Sequence, residues 1–203
     1  MMMKSRFVTI GIGALLGLAV MLGGWQLYSN LYTYQGALIE PPVPAADFEL
    51  TDQNGGTFRL GEQQGKVVLI FFGYTYCPDV CPVTLSEFRR IKTRLGKDAE
   101  NVEFVFVTVD PERDTPERLA KHMANFDPEF VALTGEQEEL EQVWKSYGVY
   151  REKVETTGAS GYLVDHTARV YVVDKAGNWR MTFPFGMEVE KMTQDVAHLL
   201  RER

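Results

Sequence analysis

Cys77 and Cys81 are the whole thiol inventory of the chain, four positions apart in Tyr76-Cys77-Pro78-Asp79-Val80-Cys81-Pro82. They follow at once on the apolar run Val67-Val68-Leu69-Ile70-Phe71-Phe72-Gly73. That order predicts a buried strand delivering two thiols to the start of a helix. The unpaired N–H groups and dipole of a helix N-terminus favour thiolate over thiol. Two adjacent soft thiolates can exchange electrons with another dithiol or hold a soft metal. A structural bridge is the plainer alternative for a single cysteine pair outside the cytosol. Closing so short a loop removes little chain entropy, and parallel Cβ vectors on a helix strain the bond. Such a bridge suits reaction better than support.

The elements that must position this pair alternate in type. Phe48–Leu50 and Thr57–Arg59 flank Asn54-Gly55-Gly56, a hairpin signal. After the apolar strand Val67–Gly73, a helix is predicted from Pro82 to Leu95, ending near Gly96. Val102–Val109 is a second buried strand. Asp114-Thr115-Pro116-Glu117 opens a further helix, with Asp or Thr as cap and proline in the first turn. Phe130–Leu133 is strand-like. Glu136–Tyr147 carries Leu140, Val143, Trp144 and Tyr147 at helical spacing, with Gly148 behind it. Ala168–Val173 and Trp179–Phe183 form a second hairpin, and Glu188–Leu200 a last helix. This βα-βα-βα-ββα order predicts an α/β fold with a mixed central sheet flanked by helices. Reactive thiols after the first long strand and a closing ββα describe a thioredoxin-like fold.

Ahead of this domain, residues 7–25 read FVTIGIGALLGLAVMLGGW, without a charge. As a helix they would extend roughly 28 Å, enough to cross a bilayer. Lys4 and Arg6 precede the span and no basic residue follows until Arg59. The positive-inside rule then leaves residues 1–6 in the cytoplasm and exports the rest. Trp25, Tyr28, Tyr32 and Tyr34 fit an aromatic belt at the outer interface. A cleaved signal peptide is the alternative, but the residues after Leu22 are bulky and offer no small-residue cleavage site. The expectation is an uncleaved anchor in a bacterial inner or plasma membrane, since the tail lacks a mitochondrial transit signature. Residues 26–46, which end in Glu40-Pro41-Pro42-Val43-Pro44-Ala45-Ala46, read as a proline-rich spacer, and residues 47–203 as one domain. Beyond the anchor, 19 basic residues stand against 28 acidic ones, a formal −9. That balance argues against nucleic acid or an anionic lipid surface as partner.

Four ordered motifs make residues 36–200 resemble the Sco (SenC/PrrC-type) copper proteins of mitochondria and bacteria. They are Asp47-Phe48-Glu49-Leu50-Thr51-Asp52-Gln53-Asn54-Gly55, Phe71 to Pro82, Val109-Asp110-Pro111-Glu112-Arg113-Asp114-Thr115-Pro116-Glu117, and Val164-Asp165-His166-Thr167. The resemblance implies that Cys77, Cys81 and His166 are copper ligands. It also implies a role in assembling the dinuclear copper site of cytochrome c oxidase subunit II, as copper donor, thiol reductant, or both.

The residues carry part of this chemistry by themselves. Redox thioredoxins separate their thiols by two residues, whereas three intervene here. They also place a cis-proline before the strand that faces the thiols. No proline lies between Pro128 and Pro184, and Asp165-His166 stands just ahead of Ala168–Val173. Two thiolates and an imidazole form a soft three-donor set suited to Cu(I), and workable for Cu(II) with added ligands. Structural zinc asks for four protein ligands. His122 and His198 lie on predicted helices and read as ordinary core or surface histidines. Asp165 is a candidate to orient the His166 ring, and Phe72, Tyr74 and Tyr76 are candidates to wall the site. The expectation is a metallochaperone, not an enzyme in the turnover sense. A thiol:disulfide oxidoreductase acting on the same copper site is the alternative.

Overall fold

The computed structural model describes residues 16–25, 32–157 and 161–202. The chain divides into two units, Met1–Tyr34 and Gln35–Arg203. In the first, residues 16–25 are helical (α1) and exposed. No helix among the described residues is long and apolar enough to cross a membrane. Residues 7–15 of the expected span, and the expected cytoplasmic tail, lie outside the described residues.

The second unit contains, in chain order, β1 (Ala37–Pro44), β2 (Glu49–Asp52), β3 (Thr57–Arg59), β4 (Val67–Gly73), α2 (Val80–Leu95) and β5 (Val102–Thr108). There follow α3 (Pro116–Met123), β6 (Val131–Thr134), α4 (Gln137–Ser146), β7 (Arg151–Glu155), β8 (Tyr162–His166), β9 (Arg169–Val173), β10 (Asn178–Pro184) and α5 (Val189–Arg201). Eight strands make one sheet in the order β1-β10-β9-β4-β5-β6-β2-β3. Every residue of β4 is buried, as its unbroken apolar run requires of a central strand. It runs parallel to β5 and antiparallel to β9. The parallel pairs β4–β5 and β5–β6 need crossovers, which α2 and α3 supply. α2 buries Cys81, Leu85, Phe88, Ile91 and Leu95 at 3–4 spacing and packs against α5. The thioredoxin-like arrangement expected from the element order is the one found.

Two elements differ from the expectation. The proline-rich segment is not wholly a spacer: residues 37–44 form β1, antiparallel to β10 with Ala37 opposite Thr182 and Val43 opposite Trp179. Proline lacks the N–H a central strand must donate, so this strand sits at the sheet edge. Its register slips between Leu38 and Val43, where Pro41 and Pro42 fall. The buried Asp195 of α5 accepts the backbone N–H groups of Gln35 (3.0 Å) and Gly36 (2.8 Å). The folded unit therefore begins near Gln35, not at Asp47. The second difference is β7–β8, an antiparallel ribbon separate from the main sheet, where no strand was expected.

Candidate metal centre

β4 ends at Gly73, and the turn that follows carries Cys77, whose N–H donates to the Tyr74 carbonyl at 3.2 Å. α2 then opens with Asp79 as N-cap, but the Asp79 carboxylate makes no capping bond. Instead the Cys81 N–H, one of the helix's orphan donors, points to Cys77 Sγ at 3.5 Å. The sulfur takes the place a capping oxygen would hold. Donation from the Cys81 thiol, helped by the Asp79 and Cys81 N–H groups, overcomes partial burial and lowers the Cys77 pKa to about 4. Cys81 behaves oppositely. It is fully buried, and burial, together with the neighbouring Cys77 sulfur, pushes its pKa well above the ordinary thiol value. Of the two sulfurs, Cys77 gives up its proton the more readily and Cys81 keeps it. Gly73 makes room for this: a Cβ there would lie 2.9 Å from Cys81 Sγ and 2.8 Å from the Phe106 ring.

His166 arrives from the other side as the last residue of β8. Strand alternation puts Tyr162, Val164 and His166 on one face. His166 Nε2 lies 3.5 Å from Cys81 Sγ. Nδ1 lies 3.2 Å from the Thr167 carbonyl, which can only accept, so the network assigns the proton to Nδ1 and leaves the Nε2 lone pair toward the sulfurs. Tyr74 packs edge-on against the imidazole at 5.8 Å and Phe71 at 6.0 Å. The Tyr74 hydroxyl also accepts the Val164 N–H at 3.1 Å, tying β8 to the turn after β4. One donor atom from each of Cys77, Cys81 and His166 lies within 4.8 Å of the others. Among the described residues no other three His, Cys, Asp or Glu side chains converge in this way.

Residues 38–201 match the SCO1/SenC family model. The chain belongs to the SCO1/SenC family. It is 37% identical over 189 residues to an SCO2-like protein of Rickettsia felis, covering 89% of this chain and 92% of that one. A structure of Bradyrhizobium japonicum ScoI with copper bound is 41% identical, with a TM-score of 0.70, and covers 78% of this chain and 99% of that one. Apo Sco1 of Thermus thermophilus is 38% identical, with a TM-score of 0.74, and covers 84% and 99%.

Within this SCO1/SenC chain, the remaining candidates separate cleanly. Phe72 points to the opposite face of β4 and packs on Tyr147 and Tyr171, so Phe71 takes the walling place assigned to it. Asp165 alternates away from His166 and is exposed, and the ring is oriented by the Thr167 carbonyl instead. Asp79 is exposed beside the thiols. His122 packs against Phe106 and Phe126, and His198 lies 3.7 Å from Glu202, both apart from the centre. Asp114 was read as part of a helix start. Thr115 is the cap, and Asp114 is buried where it accepts from the Thr75 N–H, the Thr75 hydroxyl and the Thr108 hydroxyl. Burial raises its pKa. It braces the turn that carries Cys77, a role with no signal in sequence beyond the neighbouring threonines.

Proposed function

We propose that this chain is a membrane-anchored copper metallochaperone that binds one copper ion through Cys77, Cys81 and His166. Its task is to assist assembly of the dinuclear copper site in cytochrome c oxidase subunit II. The observation that carries this reading is the convergence of two sulfurs and one imidazole nitrogen from two separate chain segments within 4.8 Å. A soft three-donor set of this kind favours Cu(I). Relatives that share the family and fold support the choice of copper, the Bradyrhizobium ScoI structure holding it directly. Loading the site takes a proton from Cys81, whose thiol is the protonated one. Cys77 is only partly buried, so it is the donor an incoming recipient thiol meets first. Residues 7–25 serve as the anchor, 1–6 stay in the cytoplasm, and the folded unit works outside a bacterial inner membrane; the charge-free span and Lys4 and Arg6 before it support this.

Copper titration of the reduced full chain tests the site, with His166→Ala beside the parent. Loss of a direct ligand is expected to exceed the roughly 10–100-fold cost of removing a group that only orients a ligand. Unchanged affinity would overturn the assignment. N-terminal sequencing of membrane-extracted protein tests the anchor: a mature chain starting after residue 25 overturns it.

A second reading is kept because of one observation. Cys77 is a low-pKa sulfur beside a free partner thiol, the constellation of a dithiol reductant. In that reading the chain reduces the cysteines of the recipient copper site. His166→Ala separates the two, since exchange needs the sulfurs and copper holding also needs the imidazole.

A further inference from the structure

Beside the thiols, cations and aromatic rings alternate in a single stack that crosses three elements. Arg118 of α3 lies over the Tyr76 ring at 4.4 Å. Arg113 lies on Tyr76 at 4.6 Å and on Tyr162 at 3.6 Å. Lys153 of β7 lies over Tyr162 at 4.8 Å. Tyr76 is the residue before Cys77. Tyr162 opens β8 on the face that ends in His166. Arg113, on the loop between β5 and α3, is therefore the layer between the thiol turn and the histidine strand. Its edge is engaged too: Nε donates to Asp110 and one terminal nitrogen donates to the Tyr162 carbonyl at 3.1 Å. Asp110, fully buried, also accepts the Tyr162 hydroxyl at 2.8 Å.

We infer that Arg113, sandwiched between Tyr76 and Tyr162, is a positioning residue that sets where His166 stands relative to the two sulfurs. The inference rests on the ligand set proposed above. A two-stranded ribbon is marginal alone and takes its place from what it docks against. β7–β8 pairs with no strand of the main sheet, so its place depends on the two-residue link to β9 and on contacts made through side chains, among them the Tyr74 hydroxyl on the Val164 N–H, Arg151 on the Val109 carbonyl, and the Arg113 stack. Arg113 can present two flat faces to two rings while its edge bonds a carboxylate and a carbonyl, a combination closed to lysine. Displacing Tyr162 tilts a five-residue strand whose far end is His166. The sulfurs, held by α2 and β4, do not move with it.

The test measures Cu(I) affinity of the reduced full chain by competition with a chromophoric Cu(I) chelator, in the parent and in His166→Ala. Arg113→Ala strands the buried Asp110, so Tyr162→Leu is the second variant; it keeps the Arg113–Asp110 pair, removes the ribbon-side ring, and shares its loss of the hydroxyl on Asp110 with Tyr162→Phe. Each is expected to lower affinity roughly 10–100-fold when His166 is present. In the His166→Ala background each is expected to change it by less than about twofold, because the group they position is gone. Tyr162→Phe keeps the stack and is expected to stay near the parent. Equal losses in both backgrounds would overturn the inference. Amide exchange at Val164 gives a copper-free readout: Arg113→Ala and Tyr162→Leu should speed it while β4 amides stay protected. Unchanged Val164 exchange also overturns the inference. If His166→Ala leaves affinity unaltered while Val164 exchange accelerates, the ligand assignment fails and the docking role of Arg113 stands.

Discussion

Cys77 and Cys81 are chemically identical in sequence, and the hydrogen bonds to Cys77 and the burial of Cys81 make them different. Iodoacetamide at about pH 6 is expected to label Cys77 in the reduced folded protein and to spare Cys81, since only a reachable thiolate reacts. Peptide mass spectrometry reads this, and equal labelling would refute the assignment. The depressed Cys77 pKa also bears on stability. Its folded value, about 4, lies below the ordinary thiol value of 9.0. The sulfur's contribution is therefore fully present above pH 9.0 and is lost as pH falls toward about 4. The stability difference between the reduced parent and Cys77→Ser should grow with pH across that window, by urea denaturation at each pH; a flat difference would contradict it. Gly73→Ala should cost about 1–3 kcal/mol, because the added methyl collides with Cys81 Sγ and the Phe106 ring. The sequence named Cys77, Cys81 and His166 but was silent on Gly73. A glycine's role here depends on which side chain crosses it, and that is a tertiary fact.

The long apolar strands and amphipathic helices of this fold were legible because periodicity and burial are local in sequence. β4 read as a continuous apolar run, β5 as an apolar strand interrupted only at Glu103, and α4 from its 3–4 spacing. β1 was not legible: prolines at Pro41, Pro42 and Pro44 carry the signature of a linker, and only the partner β10 makes an edge strand of them. β7 was hidden for a different reason. Residues 151–155 are mostly exposed and charged, without the alternation that marks a half-buried strand. His166 consequently stood only as a residue ahead of Ala168–Val173, although β8 is what aims it. The start of β1 supplies a test at this scale. Asp195 accepts charge-assisted bonds from the Gln35 and Gly36 N–H groups. Such bonds contribute about 1.5–3 kcal/mol, so Asp195→Ala should lower stability by about that much. Chemical denaturation measures it, and a change under about 0.5 kcal/mol, typical of surface sites, would mean that β1 docks without this anchor.

At the scale of the whole molecule, copper binding and folding share one free-energy balance. A ligand that binds only the folded chain at a hundred times its dissociation constant stabilises by about 2.7 kcal/mol. For a domain of this size that corresponds to roughly 5–10 °C in Tm. The unfolded chain is not inert here. Cys77 and Cys81 are four positions apart in sequence, so an unfolded, reduced chain still offers both sulfurs to Cu(I). His166 stands 85 residues from Cys81 and joins them only in the fold. The copper-induced rise in Tm therefore reports chiefly the imidazole and the preorganisation of the sulfurs, and it should fall short of the full value. His166→Ala should abolish most of that rise while still binding some copper through the dithiol. The disulfide form should show no rise, because bridged sulfurs are not available as thiolates. Differential scanning calorimetry of the reduced, oxidised and His166→Ala chains with and without Cu(I) decides the matter. An equal copper-induced shift in parent and His166→Ala would mean that the ion is held by the two sulfurs alone.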